Sequence, residues 1–506
     1  MKLQRTRNAV RNIIFGSVLK IYQIVVPFLL RTAMIYYLGI EYVGLNSIFL
    51  AILQVLNLAE LGVGSAMIFS MYKPIAENDD ITICALMALY RKYYRIIGLV
   101  ISIGGTMIAP VLPFLIKGDI PQGLNLYVLY FLNLISTVLT YWLFAYKNCI
   151  LTAYQRTDVS SKIGLIISTV EYGIEFVALL IFRNYYLYLS AKVVTQIMNN
   201  ILTAMMAEKM YPQYKPKGNL SKETIKEINK KVKDLFTAKL GGVVVNSVDS
   251  IVISSFLGLT VLAIYNNYYY ILSSIIGFVA IIFSSCLAGI GNSIQTETAE
   301  KNYEDFLTFT LIIVWLSGFC VCCLLCLYQP FMIIWLKDTA AMFGMKEVIC
   351  LCAYFFTYEI ASMMIQYKDA AGIWHEDRFR PLVTAFSNLV MNLITVQFIG
   401  IVGVLISTVI SFAVIGIPWL IKNIFTLLFK RSPIEYIKRI LLYVMVTIFA
   451  CIACKKICDL ITTTGWIQLI IKGVLCCIVS NIIFWIAYHR LKEYKKIYKL
   501  FAKLKK

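Results

Sequence analysis

The chain has 506 residues, of which 60% are hydrophobic and only 15% charged, with a formal net charge of +20 and a mean hydropathy of +0.77. Soluble globular chains carry about 25% charged residues, so this one cannot cover itself with polar surface. Its apolar stretches run about 18–25 residues and are continuous rather than alternating, which points to membrane-crossing helices and excludes a spanning β-barrel wall.

Residues 1–11 are basic and lead into a long apolar stretch with no small-residue cleavage site, so the start reads as a retained first helix rather than a signal peptide. In chain order the pattern predicts helices at 12–38, 45–71, 96–116, 125–147, 163–182, 186–207, 235–257, 262–289, 306–328, 347–366, 382–398, 401–421, 439–454 and 467–489. The expected fold class is therefore all-α, a polytopic membrane protein of about fourteen transmembrane helices. An even number places both termini on one side. About 36 of the 47 Lys and Arg residues fall on that side and about 6 on the other, which makes the termini cytoplasmic. A basic rim of this kind reads as topology and attraction to anionic membrane lipids, not as nucleic-acid binding.

The one sizeable polar insert, 208–234, reads as a cytoplasmic amphipathic linker. Ser221 is placed to cap a short helix with Ile225, Ile228, Val232 and Leu235 on one face and lysines on the other. It would join an N-terminal lobe of six helices (1–207) to a C-terminal lobe of six (235–421), leaving 422–506 as two further helices and a basic tail. Sliding the sequence by 219 residues lays Tyr37-Leu38-Gly39-Ile40 on Phe256-Leu257-Gly258-Leu259 and Lys20 on Lys239, a parallel pseudo-repeat of the two lobes.

Charges at bilayer depth are expensive and normally face a cavity or a partner. On the first helix Lys20 and Arg31 are eleven residues apart and point the same way, about 16 Å from each other along the axis. Pro27 between them removes a backbone hydrogen bond and offers a hinge. Lys239 opens the matching stripe on the seventh helix, followed by Asn246, and Lys192 stands on the sixth. Two readings compete. In one, these cations line a cavity and hold a phosphate or diphosphate; in the other, the lysines snorkel to the interface and only Arg31 is buried.

Acids occur at depth too: Glu171 and Glu175 on one face of the fifth helix, with Asp249 and Glu359 standing alone. They could bind a coupling proton or sodium ion, or neutralise the buried cations. The run Tyr265-Asn266-Asn267-Tyr268-Tyr269-Tyr270 pairs aromatic faces with amides, chemistry that suits sugar rings, although an interfacial aromatic belt accounts for most of its tyrosines. Cys320, Cys323 and Cys326 have a CxxCxxC spacing, but they sit in an apolar segment where thiols act as small hydrophobes, so no metal site and no cofactor are expected. The chain lacks GxxxxGK[ST], HExxH and GxSxG, and has no polar domain large enough for an enzyme. A gradient-driven transporter is the economical reading.

The sequence resembles the Wzx-type polysaccharide transporters, lipid-linked oligosaccharide flippases of the multidrug/oligosaccharidyl-lipid/polysaccharide exporter superfamily. The likeness is carried by Leu58-Ala59-Glu60-Leu61-Gly62-Val63-Gly64 with Tyr72-Lys73-Pro74-Ile75-Ala76, by Asn246-Ser247-Val248-Asp249-Ser250, and by the tyrosine–asparagine run. It continues through Gly289-Ile290-Gly291-Asn292-Ser293, Gln329-Pro330-Phe331, Lys368-Asp369-Ala370-Ala371-Gly372 and Gly400-Ile401-Val402-Gly403-Val404, in that order. The resemblance implies a multi-pass protein of the bacterial cytoplasmic membrane working by alternating access, with an undecaprenyl-diphosphate-linked glycan as cargo. It also implies polysaccharide polymerases or glycosyltransferases as neighbours in the pathway, and a central cationic cavity that Arg31 fits by type and place. A cation-coupled drug exporter of the same superfamily, or a membrane glycan polymerase or glycosyltransferase, are the rivals.

Overall fold

A computed structural model describes residues 5–117, 120–121, 123–337 and 341–497; side chains at 5–14, 17, 234–235, 237–246, 281–289, 291–292 and 295–296 lie outside that description. All regular structure among the described residues is helical. In order the helices are α1 (Arg5–Tyr37), α2 (Ile40–Leu56), α3 (Val63–Glu77), α4 (Asp80–Ile108), α5 (Leu112–Leu115), α6 (Leu126–Trp142), α7 (Asn148–Ala153), α8 (Thr157–Leu180) and α9 (Tyr185–Met210). They continue with α10 (Lys222–Leu257), α11 (Leu259–Thr296), α12 (Ala299–Leu336), α13 (Met345–Ala370), α14 (Arg380–Ile410), α15 (Ile417–Asn423), α16 (Ile434–Asp459) and α17 (Gly465–Tyr488). Among the described residues nine helical stretches are long and apolar enough to cross a membrane, or ten if the bent pair Leu126–Trp142 and Ala145–Ala153 counts as one. The protein is a multi-pass, all-helical membrane protein.

One expected span is broken, and two others meet in a hairpin where the sequence separates them. The second ends at Leu56, passes through a tight turn at Asn57–Glu60 and restarts at Val63, because Gly62 takes a left-handed φ of 88° that a helix cannot hold. The eleventh and twelfth fold back on each other at Ile399 and Gly400, where Gly400 has φ 58° and ψ −135°. The hairpin is zipped by polar pairs: Asn388 donates to the Thr408 hydroxyl at 2.9 Å, and Thr395 and Ser407 hydroxyls meet at 3.0 Å. With no water in the bilayer, such pairs satisfy groups that lipid cannot.

The linker differs from expectation. Ser221 does cap a helix, accepting from the Thr224 amide at 3.1 Å, but the helix is not short: α10 runs unbroken to Leu257. Lys and Glu are strong helix formers, so the polar insert extends the next span instead of interrupting it. Ile228 is buried and Ile225 and Val232 half-buried, while Lys222, Lys226, Lys230 and Lys233 are exposed, as the amphipathic pattern required.

Contacts divide the chain into two compact units, Met1–Ala263 and Ile264–Lys506. In the first, α1 packs on α8 and α2, α8 on α9, α9 on α6, α6 on α4, and α10 on α2, α3 and α5. Glycines set the closest approaches: a Cβ at Gly98 would lie 2.1 Å from the Trp142 indole nitrogen, and one at Gly44 2.4 Å from the Leu259 carbonyl. In the second unit α12 is the central helix, packed on α13, α16 and α17, with α14 against α13.

Each unit holds one deeply buried aspartate beside an inter-helix turn, and the two are 219 residues apart, the same slide that aligns the halves. Asp158, fully buried, takes Arg156 Nε and Nη2 at 2.8 and 3.3 Å. Asp377, 2% exposed, takes Arg380 Nε and Nη2 at 2.7 and 2.9 Å, with Lys368 Nζ at 3.5 Å. Such bidentate pairs fix a turn because the guanidinium fork matches a carboxylate in only one geometry.

Candidate functional site

In the first unit, charges from α1, α8 and α9 converge. Arg31 is half-buried one turn after Pro27, which sits inside an otherwise continuous α1 and leaves the Gln23 carbonyl without its helical amide. Lys192 on α9 is also half-buried; its Nζ donates to Asn46 Oδ1 on α2 at 3.4 Å and lies 4.9 Å from the centre of the Tyr188 ring. Arg31 acts electrostatically on the same Tyr188, so one buried tyrosine sits within reach of both cations.

The acids of α8 face this group. Glu171 and Glu175 both lie within electrostatic reach of Lys192. Glu175 is 1% exposed and its Oε1 has no hydrogen-bond partner among the described residues. An ionised carboxylate cannot stay so buried without a cation or a proton on it. Aromatic faces complete the wall: Tyr185 and Tyr188 stack at 5.7 Å, Tyr42 meets Tyr185 edge-on at 5.2 Å, and Tyr22 meets Tyr172 at 5.6 Å.

Four of the residues singled out by sequence, Arg31, Lys192, Glu171 and Glu175, are thus brought together. Lys20 is not among them: it is exposed on α1, as is Gln23 between it and Arg31. Lys239 and Asn246 belong to α10, but their side chains lie outside the described residues. Asp249 is buried on the same helix. Glu359 lies in the second unit on α13, 1% exposed, with its Oε1 unpartnered among the described residues.

The tyrosine–asparagine run also belongs to the second unit. Tyr265, Asn267 and Tyr268 are buried and Asn266 is half-buried. Tyr268 donates to Gln329 Oε1 at 3.0 Å and stacks on Phe343 at 5.1 Å, which explains its burial: its hydroxyl has an internal partner and needs no interface.

Sequence reasoning missed Asn46, Tyr185 and Tyr188. A signal was available, since Tyr185, Tyr188, Lys192 and Thr195 recur at steps of three and four and so share one face of α9. A helix with a polar stripe among apolar neighbours has to turn that stripe inward.

Comparison with known proteins places this arrangement in context. Residues 9–288 match the family model described as "Polysaccharide biosynthesis protein". No curated protein matches the chain. Among solved structures, the chain is similar to one titled "Lipid II flippase MurJ, inward closed conformation", at 16% identity and a TM-score of 0.71, covering 95% of this chain and 99% of that one. It is similar to an inward-facing multidrug resistance MATE family transporter of the MOP superfamily at 16% identity and TM-score 0.57, covering 78% and 93%. A MOP superfamily transporter from Pyrococcus furiosus with a binding pocket of reverse polarity matches at 14% identity and TM-score 0.54, covering 84% and 96%. The chain, with its buried charges on a MurJ- and MATE-like helical frame, belongs to the polysaccharide biosynthesis protein family and has the fold of the MOP superfamily transporters.

Proposed function

We propose that the protein is a flippase that moves a polyprenyl-diphosphate-linked oligosaccharide from the cytoplasmic to the outer leaflet of a bacterial cytoplasmic membrane, with both termini in the cytoplasm. The observation that carries this reading is the convergence of Lys192, 4.9 Å from the Tyr188 ring centre, and Arg31, within electrostatic range of the same tyrosine, inside the first unit. Two half-buried cations beside aromatic faces suit an anion linked to sugar rings. A diphosphate pairs with guanidinium and ammonium, and the rings of Tyr42, Tyr185 and Tyr188 offer apolar platforms for a glycan. Family membership supports the pathway, and the flippase among the structural neighbours supports the class of cargo.

Physically, a glycan head and a diphosphate cannot cross about 30 Å of hydrocarbon unaided. A polar cavity open sideways to lipid lets the head cross while the polyprenyl tail stays in the bilayer. Glu171 and Glu175 then supply the return stroke: a proton or sodium ion held there while the diphosphate occupies the cations is released once the cargo has left, and the freed carboxylates balance Arg31 and Lys192. Polymerases and glycosyltransferases of the same pathway would act on either side of this step, before and after transfer.

Depleting the chain from its host tests the reading. The expected result is a polyprenyl-linked glycan that accumulates but is not reached by a membrane-impermeant glycan-oxidising reagent added to intact cells. Unchanged labelling overturns the proposal. The rival exporter reading predicts instead that depletion sensitises cells to cationic amphiphiles and leaves glycan labelling intact; a cavity holding Arg31 and Lys192 repels such cargo.

A further inference from the structure

The second unit gathers thiols in a way the sequence spacing conceals. Cys320 and Cys323 on α12 are half-buried and do not join Cys326 in a cluster. Cys326 instead meets Cys458 from α16 and Cys476 from α17, and the three Sγ atoms all lie within 4.8 Å of one another. Cys458 and Cys476 Sγ are 3.7 Å apart. Along the same seam Cys322 and Cys451 Sγ are 3.6 Å apart, and Cys454 is buried one turn along α16 from Cys451. Six buried cysteines from three helices thus share one interface.

We propose that Cys326, Cys458 and Cys476 form a binding site for a soft, monovalent metal ion of the Cu(I) class. Thiolates bound to one metal at about 2.3 Å stand about 3.7–4.0 Å from each other, so the observed separations need only a small inward movement. Thiolate sulfur selects soft ions, and the count decides between them. A structural zinc ion takes four ligands in a tetrahedron, whereas only three of these thiols, Cys326, Cys458 and Cys476, all lie within 4.8 Å of one another, the number that suits trigonal Cu(I).

Each coordinating thiol gives up its proton to solvent as the ion enters. Lys455, within electrostatic reach of Cys326, offsets part of the negative charge that results. The site has a surrounding layer as well: the Cys458 thiol also lies 3.9 Å from the Lys472 carbonyl, and Cys476 lies 3.8 Å from the Cys322 carbonyl. Cys458 is one residue from the end of α16 at Asp459, so the site lies close to a helix terminus rather than at the middle of a span. A bound ion would tie α16 and α17 to the central helix α12. The alternative, thiols packed as small hydrophobes, binds nothing.

The test uses the purified, fully reduced full-length chain in detergent, titrated anaerobically with Cu(I) against a chromophoric Cu(I) chelator. The expected result is one tightly held ion per chain. Cys326→Ser, Cys458→Ser and Cys476→Ser should each weaken retention at least about tenfold. Cys477→Ser, exposed on the same helix, and Cys149→Ser in the first unit should leave it unchanged. X-ray absorption of the unmutated chain gives a readout that does not depend on variants folding: three sulfur neighbours are expected. Failure of the unmutated chain to take Cu(I) from the chelator overturns the proposal, as does equal retention by the triple serine variant or a copper shell of nitrogen and oxygen.

Discussion

Replacing Asp377 by alanine probes how the second unit is held together. Asp377 is 2% exposed, Arg380 5% and Lys368 7%, so removing the carboxylate leaves two cations buried with only Asp369 nearby to answer Lys368. Breaking a buried pair in this way costs about 3–5 kcal/mol, because the remaining charge cannot recover its hydration. For a unit the size of Ile264–Lys506 that corresponds to a fall of roughly 6–20 °C in the unfolding midpoint. Asp158→Ala in the first unit is the internal control. Its partner Arg156 is 22% exposed, so water can take up the freed guanidinium and the loss should be about 1–2 kcal/mol. Asp377→Asn, which keeps an acceptor and loses the charge, should fall between the parent and Asp377→Ala. The assay is thermal unfolding of the detergent-solubilised chain, followed by loss of the monodisperse peak in size-exclusion chromatography. An Asp377→Ala midpoint within about 2 °C of the parent, or a larger loss for Asp158→Ala, refutes the reasoning.

Other perturbations address transport. Arg31→Ala should cut surface polysaccharide by about 30-fold or more at unchanged membrane abundance, since losing one charge of a desolvated pair costs about 2 kcal/mol or more. Arg31→Lys should restore part of it, because the charge returns without the bidentate fork; normal polysaccharide in Arg31→Ala would remove Arg31 from the cavity. The double replacement Glu171→Gln and Glu175→Gln should alter the dependence of transport on proton or sodium gradients, and an unchanged dependence would assign these acids to charge balance alone. Gly400→Ala should destabilise the hairpin by about 1–3 kcal/mol, since a side chain is strained at its φ of 58° and ψ of −135°; an unaltered unfolding midpoint would show that the reversal tolerates a Cβ.

Much of the frame was legible because the physics that writes it is local. Gly400 between two apolar runs marks the hairpin, Ser221 marks a helix start, and Arg31, Glu171 and Glu175 announce themselves as charges where lipid should be. What was not legible depends on neighbours. Lys192 gave no sign that it would settle on Asn46 from another helix and the Tyr188 ring. Lys368 and Arg380 counted as cytoplasmic positive charge, yet both are buried around Asp377, a pairing that a tally of basic residues cannot distinguish from a solvated rim. The CxxCxxC spacing drew attention to three cysteines of one helix, while the three that converge come from three helices. Lys239 was placed by the internal repeat, and Asn246 by its seven-residue spacing from Lys239 along the same helix.

The most direct measurement reconstitutes the purified chain in proteoliposomes whose inner leaflet carries a polyprenyl-diphosphate oligosaccharide. Transfer is followed by the arrival of glycan accessible to an impermeant oxidant or glycosidase outside. The account predicts time-dependent exposure that is strongly reduced by Arg31→Ala and by Lys192→Met. Exposure no faster than in protein-free vesicles, or transport of a cationic amphiphile while the glycan stays inside, would contradict it.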